Sequence, residues 1–268
     1  MTEASIDNPF GPNLFAGQVA LINGATSGIA ARAAEMMVAS GLAGLAISAR
    51  TEADGIAMRD RLRLASPGAQ IEFVRCDYLA DGQIEAQFAQ VEALFGRLDI
   101  FVHTMLPGNG PQRFATMTAQ DWMNTTRALF LSFIESCHYA VPLMKKNGGG
   151  SILSVISDAM KVPTPGESVI GGGMAANAQF AKVLAVEEGR NGIRVNCVSP
   201  SITTGTRAYD RVMSREFSRE LFTKAVNKAR LGVADAVDVA HAVAFLSSRL
   251  SSKTTGQVLS VNGGVSVA

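Results

Sequence analysis

The sequence has few cysteines, no excess of either charge and no long apolar run, and each absence excludes a class of protein. Cys76, Cys137 and Cys197 are scattered and have no CxxC or metal-ligand spacing. We therefore predict reduced thiols in a cytoplasmic protein without a metal site. The 24 Lys and Arg balance 23 Asp and Glu without a basic cluster, which argues against a nucleic-acid-binding surface. No apolar run approaches the roughly 20 residues of a transmembrane helix, so we predict no membrane span.

From Gln18 onward the chain alternates short β-rich runs with helical segments. The predicted strands are Val19–Ile22, Leu45–Ser48, Ile71–Arg75, Ile100–His103, Ser151–Ile156, Ile193–Val198 and Val258–Val261. The helices predicted between them include Ile29–Ala39, Ile84–Phe95, Asp121–Met144, Ala175–Glu188 and Val237–Leu246. Because the strands are apolar throughout rather than alternating, the pattern predicts an α/β fold. We expect a single doubly wound parallel sheet of the Rossmann type, with helices on both faces.

The first 16 residues are polar and contain Pro9, Gly11 and Pro12, which indicates an N-terminal arm over residues 1–16. No linker or repeat divides the remainder, so we predict one domain over residues 17–268. The charged segment Thr203–Arg230 follows the sixth strand and is expected to be the least ordered region. Since ligands bind beyond the carboxyl ends of parallel strands, this segment is either a mobile cover over a site or a pair of solvated surface helices.

A glycine turn, Asn23–Ala30 (NGATSGIA), connects the first strand to the first helix. Gly24 permits a tight turn, and Gly28 allows a pyrophosphate to approach the N-terminus of the helix. Backbone N–H groups and the helix dipole favour an anion there. A tight βα turn without a ligand has the same features, so the turn alone leaves both interpretations open.

The stretch from Gln18 onward, about 250 residues, resembles the short-chain dehydrogenase/reductases. NGATSGIA is similar to the TGxxxGxG of that family, and Gly150–Ser157 (GSILSVIS) is similar to its fifth strand. Gly192–Pro200 (GIRVNCVSP) resembles its sixth strand, and Gly256–Gly264 (GQVLSVNGG) its C-terminal strand and turn. The resemblance implies a Rossmann-type sheet, NAD(P) chemistry on alcohols and ketones, and a tetramer.

The resemblance also implies where a dinucleotide would bind. The implied cofactor-binding residues are Gly24, Ser27, Gly28, Ile29, Arg50, Asp77 and Tyr78. The second strand ends in Ala49-Arg50 rather than in an acidic residue, and an Arg there can accept a 2′-phosphate, which favours NADP over NAD. A solvated charge at the start of a helix explains Arg50 equally. After the fourth strand, Met105 and Leu106 replace the small residues of the family's NNAG, and their bulk is expected to fill the adenosine pocket.

The family's catalytic Tyr, Lys and Asn are missing where the resemblance implies them. Ser157 aligns with the catalytic Ser, which puts the Tyr 13 residues later at Ile170. Counting back 22 residues from Asn196 puts the Lys at Met174, and the helix Asn aligns with Leu129. Loss of the general acid–base alone is expected to cost about 10²–10⁴ in rate. Ser157 is then a relic of the family's Ser or the acceptor of a local hydrogen bond.

Three glycines, Gly171–Gly173, separate Ile170 from Met174. Each helical glycine costs roughly 1 kcal/mol relative to alanine, so we predict a loose or displaced first turn at this helix. Glycines also suit the close approach of another helix across a subunit interface.

Together these features predict a non-catalytic subunit of an NAD(P)-dependent alcohol/ketone dehydrogenase system. The chain would support a catalytically intact paralogue in a hetero-oligomeric tetramer; hydroxyacyl-CoA is one substrate class for such a system. A first alternative is an active NADP-dependent oxidoreductase whose acid–base pair has moved to Tyr209, Lys161 or Asp158. A second alternative is a dinucleotide-binding sensor without turnover.

Overall fold

Seven parallel strands form one sheet. They are β1 Val19–Asn23, β2 Gly44–Ala49, β3 Gln70–Arg75, β4 Ile100–Thr104, β5 Gly150–Val155, β6 Ile193–Pro200 and β7 Val258–Val261. The computed structural model describes residues 9–106, 108 and 110–267. Within the sheet the strand order is β3-β2-β1-β4-β5-β6-β7, so the order changes direction between β1 and β4. That switch point is where open α/β sheets bind their ligands.

Helices cover both faces of this sheet, as predicted. They are α1 Gly28–Ala39, α2 Glu52–Ala65, α3 Gln83–Phe95, α4 Ala119–Thr126, α5 Ser132–Lys146, α6 Ser168–Glu188, α7 Arg207–Met213, α8 Glu216–Lys228 and α9 Ala236–Ser247. One apolar cluster joins the sheet to α1 and α9, and it includes Met37 and Val243. A second cluster on the opposite face joins the sheet to α3, α5 and α6, and it includes Phe88 and Phe133. We call these the upper core and the lower core.

The structure differs from the predicted N-terminal arm and shows the form of the segment after the sixth strand. Leu14 and Phe15 are buried in the upper core, and the Phe15 N–H donates to the Ser40 carbonyl at 3.0 Å. The end of the predicted arm therefore belongs to the domain; its residues 1–8 lie outside the described residues. Thr203–Arg230 contains α7 and α8, so the helix pair that the sequence left open is present.

α6 is the longest helix among the described residues and carries the missing catalytic positions. The segment Ser168–Asn191 is long and apolar enough, by length and composition alone, to cross a membrane. Buried core helices of soluble proteins meet the same criterion. Here Ile170, Met174 and Ala181 are buried in the lower core, so we interpret α6 as a core helix.

The prediction of a displaced first turn in α6 is wrong, because the helix continues through all three glycines. The Gly171 N–H donates to the Glu167 carbonyl at 2.6 Å. A Cβ on Gly171 would lie 2.5 Å from the Ala159 carbonyl oxygen, whereas one on Gly172 would meet nothing within 4 Å. Close packing against the loop after β5 therefore requires a glycine at position 171 but not at position 172.

We expect Gly171→Ala and Gly172→Ala to change stability in opposite directions. Gly172→Ala should raise the free energy of unfolding by about 0.5–1 kcal/mol, because alanine restricts the unfolded chain and the position is open. Gly171→Ala should lower it by roughly 1–3 kcal/mol, because the Ala159 carbonyl must move. Urea unfolding of the two variants checks this. Equal shifts would show that Ala159 does not approach the helix as described.

Candidate functional site

The glycine turn between β1 and α1 lies at the switch point of the sheet. Gly24 and Gly28 have φ angles of 73° and 60°, a region that favours glycine. A side chain on Gly24 would collide with the Thr104 carbonyl oxygen. Ser27 is the N-cap of α1 but makes no side-chain capping hydrogen bond. The first N–H groups of α1 are therefore available to an anion.

Arg50 and Asp77 follow the neighbouring strands β2 and β3, at the same edge. Arg50 is exposed, and Asp77 is half-buried. One Asp77 carboxylate oxygen accepts a hydrogen bond from the Leu79 N–H at 3.1 Å, which fixes the turn after β3. Both residues thus lie where the resemblance places them, beyond the carboxyl ends of the strands.

Tyr78 corrects the predicted set, since its side chain belongs to the lower core. Its hydroxyl donates to Gln87 Oε1 at 2.9 Å, and burial raises the pKa of Tyr78 well above its ordinary value. Gln87 in turn donates to Asn23 Oδ1 at 3.3 Å. The side chain of Tyr78 therefore supports the glycine turn from below and does not face a cofactor.

Met105 and Leu106, which were predicted to fill the adenosine pocket, have different surroundings. Met105 packs against the lower core, because side chains alternate along β4 and its continuation. Leu106 is 52% exposed. Met105 is thus directed to the lower core and Leu106 to the surface, and the filling of the adenosine pocket by this pair stays a prediction.

At the family's catalytic positions the structure holds apolar side chains. Ile170 and Met174 are 8% and 3% exposed and pack in the lower core. Ser157 Oγ accepts a hydrogen bond from the Ala159 N–H at 3.2 Å, so its role here is the local one. No proton donor therefore replaces the Tyr and Lys at their own positions.

Leu129 stands at the position of the family's helix Asn, and its backbone carbonyl accepts a hydrogen bond that the sequence did not predict. A π-helical turn, Arg127–Leu131, separates α4 from α5. The Asn177 side-chain amide donates to the Leu129 carbonyl at 2.8 Å. Asn177 lies three residues after Met174 on the buried face of α6. A polar residue three positions after Met174, on the same helix face, was the sequence signal from which this hydrogen bond could have been predicted.

The structure brings Asp158 and Lys161 together, but as an anchor for the C-terminal strand. The buried Asp158 carboxylate accepts hydrogen bonds from Ser199 at 3.0 Å, Asn262 at 2.7 Å and Ser266 at 2.9 Å. Because three donors already bind this carboxylate, it is poorly placed to transfer a proton.

Lys161 and Tyr209 do not form the alternative pair that the sequence suggested. Lys161 Nζ donates to Ser260 Oγ at 2.7 Å and lies 3.6 Å from Asp158 Oδ1. Tyr209 lies on α7, where its N–H donates to the N-cap Thr206. The ammonium of Lys161 is thus engaged with β7 rather than with the phenol of Tyr209.

The segment containing α7 and α8 covers the carboxyl edge of the sheet. Arg207 of α7 forms an ion pair with Asp54 of α2 at 3.1 Å, and Arg211 donates to the Gly108 carbonyl at 3.0 Å. The guanidinium carbon of Arg113 lies over the ring of Phe217 of α8, 5.2 Å from the centre of that ring. Both interpretations of Thr203–Arg230 are partly right, since the segment is a helix pair and also a cover.

Glu167, which the sequence analysis missed, lies in a groove at the start of α6. The groove has a volume of about 560 Å³, and its lining includes Met160, Pro163, Glu167, Gly172 and Ala175. Burial raises the pKa of Glu167 to about 7, against the opposing effect of a hydrogen bond from Thr164. A carboxyl group with this pKa is suited to acid–base chemistry near neutral pH.

These features fit one half of a nicotinamide dinucleotide. The uncapped N-terminus of α1 fits a pyrophosphate, and the absence of an acidic residue at Ala49 leaves room for a 2′-phosphate. Gly24, Ser27, Gly28 and Ile29 would hold the pyrophosphate, Arg50 the 2′-phosphate and Asp77 the adenine. The nicotinamide half fits less well, since Ile170 and Met174 offer no polar group to its ribose.

Comparison with known proteins agrees with this geometry. A family model described as enoyl-(acyl carrier protein) reductase matches residues 24–266. A short-chain type dehydrogenase/reductase from Sinorhizobium fredii is 30% identical over 259 residues, covering 94% of this chain and 98% of the relative. The chain belongs to the short-chain dehydrogenase/reductase family. This assigns it to an oxidoreductase family with the predicted Rossmann-type fold.

Two solved structures of this family are similar over nearly the whole chain. A 7α-hydroxysteroid dehydrogenase complexed with NADH and 7-oxo glycochenodeoxycholic acid is 27% identical, with a TM-score of 0.86, covering 94% of this chain and 96% of its own. An NADPH-bound short chain oxidoreductase from Pseudomonas aeruginosa PAO1, with an atypical catalytic center, is 25% identical, with a TM-score of 0.85. That comparison covers 96% of this chain and all of the other. The fold is therefore one that binds nicotinamide dinucleotides.

Proposed function

We propose that this chain is a non-catalytic, NADP(H)-binding subunit of an alcohol/ketone dehydrogenase system. It would assemble with a catalytically intact paralogue in a hetero-oligomeric tetramer. The observation that carries the proposal is the burial of Ile170 and Met174 in the lower core. Side chains packed in the lower core stabilise the fold. The helix face that serves catalysis in the family therefore serves stability here.

The polar groups around these positions are already engaged. Ser157 binds its own turn, Asn177 binds the Leu129 carbonyl, and Asp158 binds three donors from β6 and the C-terminal residues. Proton transfer requires a group within hydrogen-bond reach of the reacting atom. The bonds of Asn177 and Asp158 hold these groups in the scaffold, and Ser157 alone does not replace the missing Tyr and Lys.

The phosphate half of the site supports the binding part of the proposal. Gly24 and Gly28 keep the conformation that lets the backbone approach a pyrophosphate, and α1 begins without a side-chain cap. The two similar solved structures hold NADH and NADPH. Met105 packs against the lower core, which supports an adenosine end open to a dinucleotide on that side.

Glu167 favours a second candidate, an active oxidoreductase with a relocated acid–base group. Its pKa of about 7 and its place in the groove beside Ser168 and Gly171 are the supporting observations. The Pseudomonas aeruginosa enzyme with an atypical catalytic center shows that the family includes unusual sites. Glu167 lies three residues before Ile170, at the N-terminal end of α6.

Calorimetry and a turnover assay on the purified chain test both candidates. We expect micromolar NADP⁺ binding, no NADPH oxidation with ketone substrates, and co-purification of an intact family member from the native source. Turnover by the lone chain that is lost in Glu167→Gln but kept in Glu187→Gln, an exposed carboxyl on the same helix, would establish the second candidate. Binding without any partner would indicate the sensor, and absence of binding would refute the cofactor half of the proposal.

A further inference from the structure

Two arginines meet at the carboxyl ends of β2 and β3. Ala49 pairs with Arg75 in the parallel register of these strands, so Arg50 is the first residue after this pair. Arg75 Nε donates to the Arg50 carbonyl oxygen at 3.2 Å. This bond holds the Arg75 side chain against the backbone of Arg50, and its two terminal nitrogens make no hydrogen bond within the described residues.

The two guanidinium groups differ from the other arginines of this region in having no carboxylate partner. Each arginine in α2 forms an ion pair, namely Arg59 with Asp60, Arg61 with Glu35 and Arg63 with Glu72. Arg50 and Arg75 are exposed, and neither forms an ion pair within the part of the chain that the structure describes. Two arginines without an ion-pair partner among the described residues thus lie on neighbouring strand ends at one corner of the sheet.

The nearby acidic residues form no ion pair with Arg50 or Arg75 in the part of the chain that the structure describes. Glu52 and Asp54 lie in the first turn of α2, but Asp54 is paired with Arg207 of α7 at 3.1 Å. Glu52 is exposed, and Asp77 directs one oxygen to the Leu79 N–H. Neither Arg50 nor Arg75 is therefore held by a carboxylate among the described residues, beside the place where the ribose of a dinucleotide would lie.

We infer that Arg75 is a second determinant of 2′-phosphate recognition, acting together with Arg50. The inference rests on the proposed function, since it assumes a dinucleotide at the glycine turn. A phosphate dianion accepts charge-assisted hydrogen bonds from guanidinium groups, often from two nitrogens at once. Because the Nε bond already orients Arg75, little side-chain freedom remains to be lost when its terminal nitrogens bind the phosphate.

Binding of 2′,5′-ADP and 5′-AMP isolates this interaction from the nicotinamide half of the site. We expect Arg75→Gln to weaken 2′,5′-ADP and NADP⁺ binding roughly tenfold, with NAD⁺ and 5′-AMP changed less than twofold. Arg75→Lys should retain part of the affinity, and Arg50→Gln should resemble Arg75→Gln. Arg59→Gln removes the same charge from a paired arginine of α2 and is expected to leave all four affinities nearly unchanged.

The outcomes separate the inference from the proposed function. If Arg75→Gln leaves the affinity for 2′,5′-ADP unchanged, or weakens NAD⁺ as much as NADP⁺, Arg75 is not a 2′-phosphate ligand and the inference fails. If the wild-type chain binds 2′,5′-ADP through Arg75 but binds neither full dinucleotide, the inference stands and the proposed function fails. If the wild type does not bind 2′,5′-ADP, both are wrong.

Discussion

Replacing Met174 by Lys is expected to destabilise the protein rather than to restore a catalyst. Met174 is 3% exposed and lies in the lower core with Leu129 and Phe133. An ammonium group there would be buried without a carboxylate, and an uncompensated buried charge costs about 3–5 kcal/mol. We therefore expect the free energy of unfolding to fall by that amount at pH 7, as measured by urea denaturation.

Gln179→Lys is the matched control, because position 179 lies on the exposed side of the same helix. It should change stability by less than about 0.5 kcal/mol. The double variant Ile170→Tyr/Met174→Lys is expected to show no NADPH-dependent turnover, since the Asn177 amide still occupies the Leu129 carbonyl. A Met174→Lys variant as stable as the wild type would show that position 174 opens onto a polar cleft.

The stability of the protein is expected to fall in acid because of a single buried histidine. His103 lies on β4 among the rings of Tyr78, Phe101 and Phe133. Its Nε2 lies 3.0 Å from Ser132 Oγ, whose own proton is donated to the Ala128 carbonyl at 2.7 Å. Burial lowers the pKa of His103 to about 3, so the imidazole is neutral in the folded protein.

The direction of the pH effect follows from this lowered pKa. An unfolded histidine has a pKa of about 6.5, so between pH 6.5 and pH 3 the unfolded chain binds a proton that the folded chain does not. The neutral His103 therefore causes no loss of stability above this range. Within it, the free energy of unfolding falls by up to about 1.4 kcal/mol per pH unit as the pH decreases. From pH 6 to pH 4, the wild type should lose about 2 kcal/mol more than His103→Gln.

Urea unfolding at a series of pH values measures this difference. His138→Gln changes an exposed histidine on α5 and should follow the wild-type profile. An NMR titration of the His103 ring gives an independent measurement, with no protonation expected above about pH 4 in the folded protein. Parallel pH profiles of the wild type and His103→Gln would contradict a neutral buried imidazole.

Five strands were predictable from sequence because they are buried on both faces and read as apolar runs, namely β1, β2, β4, β5 and β6. β3 and β7 are partly exposed. All seven were located within two residues of their observed ends. α2 was missed because only Gly55, Met58 and Leu62 are buried along its 14 residues, which is a weak periodic signal. The start of α6 was misplaced because glycine opposes a helix locally, whereas packing against Ala159 decides the outcome here.

The candidate site was predictable where a residue's role depends on the backbone. The turn at Gly24 and Gly28 has the conformation that its glycines indicate. The roles of Tyr78, Asn177 and Arg75 depend instead on residues from other elements, namely Gln87, Leu129 and Arg50. A single sequence does not show such pairings.

The anchor at Asp158 has a consequence for the order of events during synthesis. Two of its hydrogen-bond donors, Asn262 and Ser266, come 104 and 108 residues later in the chain. While the ribosome is still adding those residues, this carboxylate has only Ser199 and Lys161 of its final neighbours. The loop after β5 can therefore close over a fully bonded carboxylate only once β7 has been added to the edge of the sheet. Completion of the fold at the start of α6 thus waits for the synthesis of β7 and the residues that follow it.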